Sequence, residues 1–259
     1  MAYTNSSLVT YKNISPNRTS PRNHIIDTIT IHCIVGQWSA KQGCDYFANS
    51  SVKASPNYIV GKDGSIGLSV EEKDRSWCTS SYSNDNRAIT IEVASDTTHP
   101  YAVTDKALSA LIELIADICK RNNIKELKWK GDKSLIGQVD KQNMTVHRWF
   151  KKKACPGDYL YNKHGYIAEQ VNKKLGVSNV ASPTLPSKTF APYKAKVTVK
   201  ELNIRKGAGL EYGIVKSIKD RGVYTIVDEK INNGIKWGLL KSYEENRNGW
   251  ISLKYTRKI

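Results

Sequence analysis

The chain of 259 residues contains no run of 18 or more apolar residues, which excludes a membrane-spanning helix. Its opening, MAYTNSSLVTYKN, lacks the basic and apolar regions of a signal peptide, so export by the standard route is not expected. Cysteine is scarce. The five (Cys33, Cys44, Cys78, Cys119 and Cys155) are odd in number and never form a CxxC pair, which excludes a disulfide framework. At least one thiol stays unpaired, and pairing among Cys33, Cys44 and Cys78 is left open. Acidic residues are short as well: 24 Asp and Glu face 40 Lys and Arg. The net charge of +16 implies attraction to a polyanion. Charge alone does not choose between nucleic acid, an anionic membrane surface and another acidic polymer.

What is present describes a folded protein. Hydrophobic residues make up 39% and charged residues 25%, the composition of a soluble globular chain. The length suits one large domain or two smaller ones. Gly176 to Tyr193, GVSNVASPTLPSKTFAPY, holds three of the eight prolines among Ser and Thr, without apolar periodicity. It reads as an extended, semi-stiff linker, so domains are expected at 1–175 and 194–259. From residue 190 onward, 15 basic and 7 acidic residues leave +8, the same excess that 25 and 17 leave over the preceding 189. The shorter part is more basic per residue, which suits a docking module better than a reaction site.

In the first part, DTITIHCIV (27–35) and NRAITIEVA (86–94) are β-rich apolar runs, and NYIVGKDGSIGLSV predicts two strands joined through Lys62, Asp63 and Gly64. Thr104-Asp105 opens a helix in which Leu108, Leu111, Ile112, Ile115 and Cys119 recur at helical spacing. Cys119 is therefore expected in the core. A second helix is expected over 158–174, with Tyr159, Leu160, Ile167 and Val171 facing inward. Interleaved strands and helices predict an α/β domain, a mixed central sheet flanked by helices. The second part is different: KVTVKELNIRKG, YGIVKSI, VYTIVDE, KWGLLKS and GWISLKYTRKI are short strands between Gly and Asn turns. They predict a small all-β, SH3-like barrel.

His32 stands in ITIHC, and TVHRWFKKKACPGDYL sets His147 eight residues before Cys155. Zinc chemistry needs nitrogen and sulfur ligands converging from separate segments, with one position open for water. His147 closes an expected strand and Cys155 precedes a Pro-Gly turn, so the loop between them can fold both onto one metal. Spacing alone leaves a competing reading, a buried core histidine and a structural thiol.

Four pieces in order, TIHC (30–33), NYIVGKDGSI (57–66), ITIEV (89–93) and VHRWFKKKACPG (146–157), resemble the zinc-dependent N-acetylmuramoyl-L-alanine amidases. That group includes phage lysozyme-type amidases and peptidoglycan recognition proteins, and the resemblance covers about residues 20–175. It implies His32, His147 and Cys155 as ligands of Zn2+. It also implies hydrolysis, by a zinc-activated water, of the amide between N-acetylmuramic acid and L-alanine of the stem peptide. The chemistry agrees, because a thiolate stays ionised beside a dication. The reaction also needs a proton carrier. Glu92 lies on a strand of β-branched and small residues, where an inward acid is expensive without a role, and it matches the family's catalytic Glu. Lys153 matches the lysine that neutralises the developing oxyanion in phage relatives. Many relatives carry a tyrosine where Pro56 stands here, so the departure favours a mechanism centred on Glu92. Trp77, Asn57 and Arg87 are the substrate-binding candidates, Trp77 by its match to a groove-lining tryptophan.

ELNIRKGAGLEYGIVKSI (201–218), with KWGLLKS and NGWISLKYTRKI, resembles bacterial SH3 domains. The resemblance implies binding of wall peptide or carbohydrate in an aromatic groove, for which Tyr212, Trp237, Trp250 and Tyr255 are candidates. Trp237 and Trp250 fit equally as filling of the barrel. The +8 charge points to teichoic acid as a second wall partner beside peptidoglycan, holding the enzyme near an insoluble substrate. The expected whole is a monomeric phage endolysin, made in the bacterial host cytoplasm and reaching the wall after membrane permeabilisation. A bacterial or prophage autolysin would share its chemistry. A non-catalytic peptidoglycan receptor is disfavoured by the thiolate ligand Cys155. Nucleic acid is not an expected partner, because no aromatic-basic RNP-like segment is present.

Overall fold

Alternating residues decide the architecture of the amino-terminal unit. In chain order its elements are β1 (Tyr11–Lys12), β2 (Arg18–Thr19), β3 (Thr28–Val35), α1 (Ala40–Phe47), β4 (Tyr58–Val60), β5 (Ile66–Leu68) and β6 (Arg75–Ser76). They continue with α2 (Tyr82–Arg87), β7 (Ala88–Ser95), α3 (Asp105–Arg121), β8 (Met144–Thr145) and α4 (Gly157–Leu175). The computed structural model describes residues 3–177, 192–210, 212–232, 234–241 and 249–259. They belong to two compact units, Met1–Asn179 and Val180–Ile259. Most of the expected linker, 178–191, lies outside the described residues.

Six strands form one mixed sheet in the order β1-β5-β4-β7-β3-β8. The central strands β3 and β7 are parallel and in register from Thr28 opposite Ala88 to Val35 opposite Ser95. Successive side chains of a strand point to opposite faces. Ile29, Ile31 and Cys33 of β3 and Ile89, Ile91 and Val93 of β7 join the main apolar core, to which α3 contributes Leu111, Leu114, Ile115 and Ile118 and α4 contributes Leu160, Ile167 and Val171. The other face carries Thr30, His32, Thr90 and Glu92, and its hydroxyl groups are paired. Thr30 Oγ1 lies 2.7 Å from Thr145 Oγ1, and Thr90 Oγ1 lies 2.7 Å from Ser76 Oγ.

The two long helices and the β4–β5 hairpin form where the periodicity places them. Cys119 is fully buried, as expected. Two details differ. Asn86 and Arg87 close the short helix α2 instead of opening the strand, because Ser81 caps the preceding turn through Asn84 N. The short helix α1 has no sequence forecast, since its buried residues Ala40, Gly43, Cys44 and Phe47 include two with almost no apolar side chain. Its start is fixed by a capping box between Ser39 and Gln42.

Among the described residues of the carboxy-terminal unit, seven antiparallel strands form: β9 (Tyr193–Val197), β10 (Leu202–Arg205), β11 (Ile214–Ile218), β12 (Val223–Asn232), β13 (Ile235–Leu240), β14 (Trp250–Ser252) and β15 (Thr256–Lys258). Their order is β11-β10-β14-β13-β12-β9-β15. The sheet encloses Ala195, Val197, Leu202, Ile204, Ile218, Ile226, Leu240 and Ile251. The all-β architecture is as expected, although KVTVKELNIRKG splits into β9 and β10. Trp237 and Trp250 are buried but stand outside this cluster. Leu240 and Ile251 point into the core, so alternation turns both tryptophans to the opposite face.

Behind the sheet of the first unit, Trp129 stacks on Trp149 at 5.2 Å with the rings 6° apart, and lies 4.4 Å from the His164 ring. His164 is fully buried, its Nδ1 hydrogen-bonded to the Leu160 carbonyl at 2.7 Å. Burial pulls its pKa down to about 4. Between that value and the ordinary 6.5 the unfolded chain binds more protons than the folded one. Stability from the neutral ring is therefore complete above pH 6.5 and is lost as pH falls toward 4. Acid titrations followed by thermal unfolding are expected to show this loss, and His164→Gln is expected to flatten it.

Candidate metal centre and active site

The register of β3 and β7 places His32 directly opposite Glu92 on the polar face of the sheet. His32 is fully buried, and its Nδ1 lies 3.8 Å from Glu92 Oε1. His147 arrives from another segment. It opens a short 3-10 turn, His147–Trp149, just beyond β8, and the stacking of Trp149 on Trp129 anchors that turn. The His147 and His32 rings stand 5.1 Å apart, tilted by 58°.

Cys155 is brought back to the same place by Arg148. The Arg148 amide donates to the Cys155 carbonyl at 3.1 Å, closing the loop on itself. Its guanidinium donates to the Ala154 carbonyl at 2.7 Å and pairs with Asp158 at 3.1 Å. The turn into α4 needs Gly157, whose φ of +78° suits glycine. A Cβ there would lie 2.8 Å from Tyr101 Cβ and 3.0 Å from the Pro100 carbonyl oxygen. The result sets Cys155 Sγ 3.3 Å from His32 Nδ1.

One ligand atom each from His32, His147 and Cys155 lies within 4.8 Å of the others. His32 Nε2, His147 Nε2 and Glu92 Oε2 are buried without a hydrogen-bond partner. Orphaned buried polar atoms are rare and call for an occupant. Two imidazoles and one thiol form the nitrogen and sulfur donor set that suits zinc. Burial, reinforced by the neighbouring His147, holds His32 well below its ordinary pKa, and burial with the nearby Lys153 charge lowers His147. Both rings are thus neutral, the form that ligates. Cys155, beside Cys33 and shielded from water, is held well above the usual thiol range, so only a neighbouring cation would ionise it.

Glu92 keeps 14% of its side chain exposed, and burial pushes its pKa up to about 8. Cys78 Sγ lies 3.9 Å from Glu92 Oε1. Together His32, Cys78 and Glu92 form a second donor group that shares His32. Cys78 is the neighbour that the sequence reading missed. A lone cysteine in RSWCTSS carries no spacing signal, and its place is set by Asp85, which accepts from the backbone amides of Cys78 and Thr79. All five cysteines are free thiols.

The remaining candidates divide. Lys153 is exposed, close enough for its charge to act on His147. Trp77 is half-buried next to Cys78, its indole N–H donating to Thr19 Oγ1 at 3.0 Å. Asn57 is fully buried, and its amide group is tied to Thr90 and to the Val70 carbonyl. Arg87 forks onto Asp27 at 2.9 and 2.6 Å. It sits five residues before Glu92, roughly 16 Å back along the sheet. The structure therefore gathers His32, His147, Cys155, Glu92 and Cys78, with the Lys153 charge near His147, holds the Trp77 indole on Thr19 and leaves Arg87 apart.

Residues 21–158 match the profile of the N-acetylmuramoyl-L-alanine amidase family. Among solved structures, a mutant of PlyL is 14% identical, covering 63% of this chain and 97% of that one, with a TM-score of 0.48. A mutant endolysin from Bacillus subtilis is 18% identical, covering 63% and 99% with a TM-score of 0.46. A selenomethionine derivative of AmpD is 19% identical, covering 65% and 99% with a TM-score of 0.42. No curated protein matches the chain. With just over half of its length matched, the chain belongs to the N-acetylmuramoyl-L-alanine amidase family.

Proposed function

We propose that residues 1–175 hydrolyse the amide between N-acetylmuramic acid and L-alanine of peptidoglycan in a zinc-dependent reaction. In this reading residues 194–259, joined through 176–193, hold the enzyme on the wall, as in a phage endolysin. The observation that carries it is the convergence of His32, His147 and Cys155 beside Glu92, in a chain of the amidase family. Zinc, when bound, supplies Lewis acidity that polarises a carbonyl and acidifies water.

The chain's own residues do the rest. His32, His147 and Cys155 hold the ion. Glu92 takes a proton from the attacking water and passes it to the departing amine nitrogen of L-alanine. The Lys153 ammonium offsets negative charge developing on the carbonyl oxygen. Trp77 gives the groove an apolar wall, whereas the polar groups of Asn57 and Arg87 are committed to the scaffold. Peptidoglycan is the substrate in this reading, with teichoic acid as a second, electrostatic partner of the basic carboxy-terminal part.

Mass analysis of digested sacculi is expected to show free stem peptides beginning at L-alanine. Glycan fragments or cut cross-links would overturn the proposal. Cys155→Ser is expected to abolish both bound zinc and lysis while leaving the circular dichroism spectrum intact. Glu92→Gln is expected to keep zinc, measured by metal analysis, and to lose roughly 100-fold or more in turnover. Arg148→Ala removes the clamp on Ala154 and Asp158, and competition with a chelator is expected to show zinc affinity reduced about 10- to 100-fold.

A further inference from the structure

We propose that the carboxy-terminal unit carries a pocket for the acetamido group of an N-acetylated hexosamine chain, centred on the indole N–H of Trp237. This deepens the wall-holding reading above and rests on it. A cavity of about 320 Å³ is lined by Trp237 together with Asn203, Leu210 and Tyr255. That size falls at the small end of ligand sites.

Trp237 is 2% exposed, and its Nε1 is buried with no hydrogen-bond partner. An indole N–H can only donate, and a buried one normally finds an acceptor. The cavity beside it is where an acceptor can enter. Asn203 accepts from Ser217 through Oδ1 at 2.8 Å, which leaves its amide nitrogen as a second donor. Leu210, 65% exposed at the cavity, offers apolar surface for a methyl group, and Tyr255, 41% exposed, offers a flat apolar platform.

Charge argues against an anion here. Glu201 and Arg205, both at the cavity, carry opposite signs, and Arg205 Nη1 is already bonded to the carbonyls of Leu210 and Tyr212 at 3.1 and 2.8 Å. The basic surface therefore attracts anionic polymers at long range, whereas the pocket selects a neutral carbonyl next to a methyl group. An N-acetyl substituent on a sugar ring has that chemistry.

The test uses the full chain with its six tryptophans labelled with 15N, the Trp237 indole signal being identified with Trp237→Phe. It is titrated with trimers of N-acetylglucosamine, glucosamine and glucose, and with free stem peptide. The Trp237 signal is expected to move with the acetylated trimer alone. Tyr255→Ala, which removes an exposed ring and spares the core, is expected to weaken that binding about tenfold even should Trp237→Phe not fold. A silent Trp237 signal, an equal response to the glucose trimer, or a response to stem peptide alone overturns the pocket. Sacculus binding with a silent signal overturns this inference and spares the wall-holding reading. A moving signal without sacculus binding supports the pocket and overturns that reading.

Discussion

The parallel register between β3 and β7 is the constraint on which the site depends. It sets His32 opposite Glu92 while the intervening residues, Ile31 and Ile91 among them, enter the apolar core. A slip of one residue would send the histidine into that core and expose isoleucine on the polar face. Fixing the core therefore fixes the chemistry. The polar face in turn is tolerable because Thr30, Thr90, Asn57, Ser76 and Thr145 bond one another, so burial leaves few groups unpaired.

Three of the buried atoms that remain unpaired belong to the site. His32 Nε2, His147 Nε2 and Glu92 Oε2 lie buried without partners, close together in space. Arg148 adds the second constraint. By holding the Cys155 carbonyl, the Ala154 carbonyl and Asp158 together, it turns an eight-residue separation into a thiol and an imidazole on one centre. The aromatic stack of Trp129 and Trp149 holds the other end of that loop. Neither device touches the candidate ion, yet both decide where its ligands stand.

The carboxy-terminal unit applies the same period-two logic to a different end. Leucine and isoleucine fill its interior, while Trp237 and Trp250 turn to the outer face and are covered there. Trp237, although covered, borders a cavity.

Much of this was legible in the sequence. The alternation of ITIHC and ITIEV, the helical spacing from Leu108 to Cys119, and the Thr104 cap are local signals, and local signals survive folding because they report which face is buried. The proposed metal ligands could be named only through resemblance, since eight residues between His147 and Cys155 say nothing about distance. Tertiary structure alone decided that Arg148 closes that loop, that Cys78 reaches Glu92, that Arg87 bonds Asp27 far from the site, and which way Trp237 faces. Each of these depends on contacts between segments distant in the chain, and a side chain's partner across space leaves no periodic trace along the chain.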